Sequence, residues 1–93
     1  MNKKEAKILI VDDIEDNRYT LERSLKKDGY ENISLADCGK DALNLVNESK
    51  FDLILLDLMM PDISGLDVLK QLKGNPSQRN IPVIMVTASE DVD

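Results

Sequence analysis

Four short apolar runs separated by helical patterns constrain this chain more than any other feature. Residues 8–11 read Ile-Leu-Ile-Val, are β-rich, and end in Asp12 and Asp13. Residues 53–56 read Leu-Ile-Leu-Leu and end in Asp57. This run is apolar on both faces, so it reads as a central, buried strand. Residues 82–86 form another run, starting on a proline that a first strand position tolerates. A weaker strand candidate covers residues 32–36. Between the runs lie three helical patterns. Residues 16–28 place Leu21 and Leu25 one turn apart and stop at Gly29. Residues 39–49 put Ala42, Leu43 and Val46 on one stripe. Ser64 caps a third pattern, expected to bury Leu66, Leu69 and Leu72 and to end at Gly74-Asn75-Pro76. The order is β-α-β-α-β-α-β. Such alternation predicts a parallel sheet with crossover helices, an α/β fold.

Composition narrows the functional classes. Leu, Ile, Val and Phe supply 28 of the 93 residues, too many for a disordered chain. A length of 93 residues accommodates one core. Cys38 is the only cysteine and cannot form an internal disulfide, so a reducing, cytoplasmic setting is expected. No apolar run approaches the roughly 18 residues of a membrane span. Eighteen acids against twelve bases give a net charge of −6, which disfavours direct binding of nucleic acid. Glu22 and Lys26, at i and i+4, read as part of a solvated helix face.

The acids that end strands carry the chemistry. In open parallel sheets, ligands bind outside the carboxyl ends of the strands. If the first and third strands are neighbours, about 4.8 Å apart, then Asp12, Asp13 and Asp57 crowd one pocket. Their mutual repulsion is relieved by protonation of one carboxyl or by a divalent cation. Mg²⁺, a hard ion that takes oxygen ligands, suits the second outcome. Each acid also has a plainer reading, since acids after strands cap helices. The combination of three favours the functional one.

At these residues the chain resembles the receiver domains of response regulators in two-component signalling. Residues 8–13 are similar to the family's first strand and acidic pair. Residues 55–65 are similar to its phosphoacceptor loop, Asp-x-x-Met-Pro-x-x-x-Gly, and residues 81–88 to its fourth strand with a switch Thr-Ala. The resemblance runs from about residue 6 to residue 93. It implies a flavodoxin-like, doubly wound parallel sheet, here in about four βα units with strand order 2-1-3-4. It also implies transfer of a phosphoryl group from a sensor histidine kinase or phosphotransfer domain onto Asp57, with Mg²⁺. By the same resemblance, Asp13 is the direct metal ligand and Asp12 the second acid, acting through water. The Met59 backbone carbonyl completes the protein ligands, with its side chain at the site mouth. Thr87 supplies the switch hydroxyl and Ala88 a backbone N–H. Such a domain is a signalling phosphoacceptor that assists its own phosphorylation and dephosphorylation, not an enzyme acting on other substrates. Met60 and Met85 are expected to pack, and Cys38 to have no catalytic or metal role.

The family pattern continues past Thr87 with a fourth helix, a fifth strand carrying a lysine, and a fifth helix. Residues 1–93 therefore read as a truncated receiver domain without most of that part. Lys70 and Lys73 lie on the third helix and do not replace the family's lysine. Phosphorylation of this short form is expected to be weak. The fourth strand is expected to be an open edge, and one sheet face to be partly uncovered. The chain is then expected to form a homo-oligomer or domain swap through that edge, to pair with a complementary fragment, or to be marginally folded. A second function follows from the same feature: an unphosphorylated assembly or interaction module. A phosphatase using Asp-x-Asp is disfavoured because Leu58 and Met59 follow Asp57. A flavin site is disfavoured because Asp12 and Asp13 would repel a phosphate.

Overall fold

The computed structural model describes residues 2–86. Strands β1 (Lys7–Val11), β2 (Asn32–Ala36), β3 (Leu53–Asp57) and β4 (Val83–Val86) alternate with helices α1 (Glu15–Lys27), α2 (Gly39–Glu48) and α3 (Gly65–Lys73). All strand pairs are parallel, in the order β2-β1-β3-β4. This is the α/β, flavodoxin-like arrangement expected from the sequence. Strand β1 pairs with β2 from Lys7 opposite Asn32 to Val11 opposite Ala36. It pairs with β3 from Ile8 opposite Leu53 to Val11 opposite Leu56. A reciprocal pair of bonds between Lys7 and Asp52, one backbone and one to a side chain, lies at the start of β1. Lys7 N–H donates to the Asp52 carboxylate at 2.8 Å, and Asp52 N–H donates to the Lys7 carbonyl at 2.7 Å.

Strand alternation divides the core into two layers. Leu9, Val11, Ile54 and Leu56 face Ala42 and Val46 of α2 and Val68 and Leu72 of α3. Ile8, Ile10 and Leu55 face the other way, toward Leu21 and Leu25 of α1. Helix α1 ends as its glycine predicts. Gly29 N–H donates to the Lys26 carbonyl and Tyr30 N–H to the Leu25 carbonyl, both at 3.0 Å. This is the double closure of a Schellman end, and Tyr30 and Leu25 join the same apolar layer.

The two layers are unequally covered. Four strands about 4.8 Å apart span roughly 15 Å, wider than the roughly 10 Å of one helix. Two helices cover the first layer, whereas α1 alone covers the second among the described residues. No residue of α1 is fully buried. At the flanks of its face, Leu35 is 39% exposed and Ile84 is 51% exposed.

The structure corrects three details of the sequence reading. Leu66 is exposed, and Val68 takes its place in the core with Leu72, because α3 begins at Gly65 with that face inward. Pro82 precedes β4 and takes part only through its carbonyl, which accepts the Ile54 N–H at 3.0 Å. Strand β3 extends one residue further than expected and includes Asp57.

Candidate functional site

The site forms where β1 and β3 end side by side. Val11 is opposite Leu56, and Asp12, the residue that follows β1, comes beside Asp57. Asp12 N–H donates to the Ala36 carbonyl at 3.1 Å, so the β1–β2 ladder runs up to the site. The carboxylate of Asp12 accepts the Ile14 N–H at 2.9 Å, turning the chain toward α1. The capping reading of Asp12 is thus replaced by a turn two residues long. The cap position itself is Ile14, whose side chain makes no cap. Asn17 Nδ2 reaches the same Asp12 oxygen at 3.5 Å, and Arg18 Nη1 donates to the Asp12 carbonyl at 2.7 Å.

Asp12 and Asp57 are each 2% exposed, while Asp13 is open to solvent. One carboxylate oxygen from each of the three lies within 4.8 Å of the others. Burial pushes the Asp57 carboxyl above its ordinary range. The Met59 N–H, donating to Asp57 Oδ1 at 3.3 Å, works in the opposite direction. The charge of Asp12 and the hydrogen-bonding proximity and charge of Asp13 add to the upward push. An all-oxygen set with excess negative charge fits a hard divalent cation such as Mg²⁺.

The loop between β3 and α3 forms the wall of the site. Met59 is 74% exposed at its mouth, whereas Met60 and Met85 pack against the first core layer. Gly65 N–H donates to the Leu58 carbonyl at 2.9 Å and closes the loop. A Cβ at Gly65 would overlap the carbonyl oxygen of Asp57. Glycine is therefore required there by close backbone approach. Ser64 Oγ accepts the Asp67 N–H at 3.2 Å and caps α3, as expected.

Thr87 and Ala88 lie outside the described residues. The last described residue of β4, Val86, pairs with Asp57. Neither Lys70 nor Lys73 is brought to the acidic pocket through a described bond; Lys73 Nζ donates to the Arg79 carbonyl at 3.0 Å. Cys38 caps α2, its sulfur accepting the Asp41 N–H at 3.5 Å. That bond favours the thiolate, but burial and the charges of Asp41, Asp62 and Asp37 outweigh it and push the thiol up. Asp37, Cys38 and Asp41 also bring ligand atoms within 4.8 Å, with both acids exposed.

Arg18, Asn17 and Asp62 were not legible as site neighbours. Arg18 acts on Asp12 from the second turn of α1. Asp62 reaches α2, where its carboxylate accepts the N–H groups of Gly39 at 3.1 Å and Lys40 at 2.9 Å. Those N–H groups, Lys40 first, then Gly39 and Ile63, hold the Asp62 carboxyl at about 2.

Comparison with known proteins agrees with this geometry. Residues 8–93 match the family model of the response regulator receiver domain. Over 83 residues the chain is 46% identical to the response regulator PleD of Caulobacter vibrioides, covering 89% of this chain and 18% of that protein. Over 81 residues it is 43% identical to the polar-differentiation response regulator DivK of Brucella anthropi, covering 87% of this chain and 65% of that protein. The chain thus spans less than two thirds of either relative. Among solved structures, TrrA of Thermotoga maritima, a response regulator protein in complex with Mg²⁺-BeF, superposes with a TM-score of 0.83 at 34% identity. That match covers 91% of this chain and 71% of TrrA. On the family match, the identity with DivK and the shared fold, this chain belongs to the response regulator receiver domain family.

Proposed function

We propose that this receiver accepts a phosphoryl group on Asp57 from a phosphohistidine of a sensor histidine kinase or phosphotransfer domain. The observation that carries the reading is the buried Asp57 carboxylate beside buried Asp12 and open Asp13, with ligand oxygens of all three within 4.8 Å. An Asp57 oxygen attacks phosphorus in line, the P–O bond forms as the P–N bond breaks, and the imidazole keeps the electron pair. Transfer of this kind depends mainly on positioning and charge stabilisation. When bound, Mg²⁺ supplies the positive charge that offsets repulsion between the carboxylate and the incoming phosphoryl oxygens.

The protein's own residues divide that work. Asp13 would hold the metal directly and Asp12 would act as the second acid through water, with Asp12 itself held by Ile14 N–H and Arg18. Met59 contributes its backbone carbonyl. Thr87 offers a hydroxyl and Ala88 an N–H to the transferred group. The domain works as a cytoplasmic signalling phosphoacceptor, with no direct nucleic-acid contact, consistent with its charge of −6. No described helix is long and apolar enough to cross a membrane.

Incubation with acetyl phosphate and Mg²⁺, followed by intact mass measurement, tests the reading. The expected result is a minor fraction of the parent chain carrying one added phosphoryl group, and none in Asp57→Asn. Equal incorporation in the Asp57→Asn chain would remove Asp57 from the role.

A second reading rests on β4. It has one neighbour among the described strands, and Ile84 on it is half exposed. An apolar edge of this kind recruits further strands, which favours an assembly role through self-pairing of β4. Light scattering coupled to size exclusion decides it: a concentration-dependent dimer supports self-pairing, and a monomer at all concentrations refutes it.

A further inference from the structure

The amino end of α2 is fully accounted for, and one of its partners comes from the loop behind Asp57. The first N–H groups of a helix have no intrahelical acceptor. Here Gly39 N–H donates to Asp62 Oδ1 at 3.1 Å, and Lys40 N–H to Asp62 Oδ2 at 2.9 Å. Asp41 N–H goes to Cys38 Sγ, and Ala42 N–H to the Cys38 carbonyl. Asp62 thus bridges two consecutive N–H groups with both carboxylate oxygens, across 22 and 23 residues of sequence. Negative charge at a helix amino end is also favoured by the aligned peptide dipoles.

The same contact presses the next residue into place. The Ile63 side chain lies over Gly39, where a Cβ would overlap it. The loop is short and tied at three points. It leaves β3 at Asp57, where Met59 N–H bonds the carboxylate, and it closes where Gly65 N–H meets the Leu58 carbonyl. Between these two ties, Asp62 is the anchor to a different element.

We infer that Asp62 is a positioning residue, its carboxylate pinning the β3–α3 loop to the first turn of α2 and so fixing the Met59 backbone beside Asp57. The inference rests on the reading of Asp57 and Met59 as part of a metal site. Both Asp62 carboxylate oxygens are taken by the Gly39 and Lys40 N–H groups, and Asp62 is not among the three acids that converge at the site. It acts as outer partners do when they orient a ligand, where loss of the partner weakens metal binding by about 10- to 100-fold. Because Asp62 acts through backbone, the lower end of that range is expected.

The test is Mg²⁺ titration of the full 93-residue chain followed by amide NMR, with exchange of the Met59 and Gly65 amides measured in the metal-free chain. Asp62→Ala is expected to weaken Mg²⁺ binding about tenfold and to speed both amides. Asp62→Asn, which keeps one acceptor oxygen, is expected to fall between. It carries the test where the alanine chain does not fold. Gln78→Ala is the control. Gln78 donates to the Val46 carbonyl at 3.3 Å and to Asn47 at 2.8 Å, at the other end of α2. Its loss lowers the melting temperature and leaves Mg²⁺ affinity unchanged. Unchanged affinity and unchanged exchange in the Asp62 variants would overturn the inference. So would an equal loss of affinity in Gln78→Ala at equal melting temperature. Where the parent chain binds no Mg²⁺, the metal reading fails by itself, and exchange alone decides Asp62: faster amides support the pin and parental rates refute it.

Discussion

Asp12 and Asp57 are 45 positions apart in the chain and adjacent in the fold, each 2% exposed at the ends of neighbouring parallel strands. Two buried like charges at that spacing oppose folding unless one is neutralised. Much of the chemistry proposed for this domain derives from that conflict.

Replacing Asp57 by asparagine should therefore stabilise the chain in the absence of divalent ions. The Asp57 carboxyl is raised in the folded state, chiefly by burial. The folded chain thus holds this proton more tightly than the unfolded chain. Its favourable contribution is complete below the ordinary carboxylate range and is lost as pH rises through the raised folded value. Above that value, the buried charge is a standing cost. Thermal melts of the parent and Asp57→Asn should differ by several degrees at pH 7, with the variant higher. The gap should close as pH falls toward the ordinary value of 3.8. A variant less stable than its parent at pH 7 would mean that the Asp57 charge is already compensated.

Mg²⁺ should stabilise the parent by the same logic. A ligand that binds only the folded state adds RT ln(1 + [L]/Kd), about 2.7 kcal/mol at a hundredfold excess over Kd. In a domain of this size, about 1 kcal/mol moves the midpoint by roughly 4–8 °C. Melts with Mg²⁺ at a hundredfold excess over Kd and with excess chelator should separate by roughly 10–20 °C. In Asp13→Ala the margin should shrink sharply, because the most open of the three carboxylates is gone. Equal margins in both chains would take Asp13 out of the metal site.

The helical phase of α3 differs from the one that leucine spacing predicts, and that difference is testable. Leucine spacing alone suggested Leu66, Leu69 and Leu72 as the inner stripe. In the fold, Val68 and Leu72 are 1% exposed and Leu66 is 52% exposed. Leu72→Ala should cost about 2–5 kcal/mol, as buried leucines do. Leu66→Ala should stay within about 0.5 kcal/mol, as exposed positions do. Urea titrations of both variants check the pair, and a large loss at Leu66 would place it in an interface.

What could be read in advance has a physical boundary. Strand positions were legible because a buried parallel strand needs an unbroken apolar run, as residues 8–11 and 53–56 show. The convergence of Asp12, Asp13 and Asp57 was legible because strand ends in such sheets share one edge. The phase of α3 was not read from leucine spacing, since Leu66 and Val68 are both apolar; in the fold Gly65, Val68 and Leu72 are buried, Leu69 packs beside them, and Gly65 lies close against Asp57. The Asp62 bridge was not legible either. An acid after Pro61 reads as a turn residue, and no local pattern shows a bond to a helix 22 residues upstream.

Gly65→Ala tests how far backbone packing governs the site. A Cβ at this position would overlap the Asp57 carbonyl oxygen, with the Leu58 Cα also close, at 2.9 Å. Neither is the end of a flexible side chain, so relief requires the loop or the start of α3 to move. Overpacking of this kind typically costs about 1–3 kcal/mol, partly offset by about 0.4–1 kcal/mol from a less flexible unfolded chain. The net effect should be destabilising. It should also displace the Gly65 N–H from the Leu58 carbonyl and loosen the loop that carries Met59. Melting temperature and Mg²⁺ affinity should therefore fall together in this variant, in contrast to Leu72→Ala, where stability falls and the affinity of the remaining folded chain holds. A Gly65→Ala chain with parental stability and affinity would show that the β3–α3 loop tolerates displacement, and that the acidic pocket does not depend on its fit against Asp57.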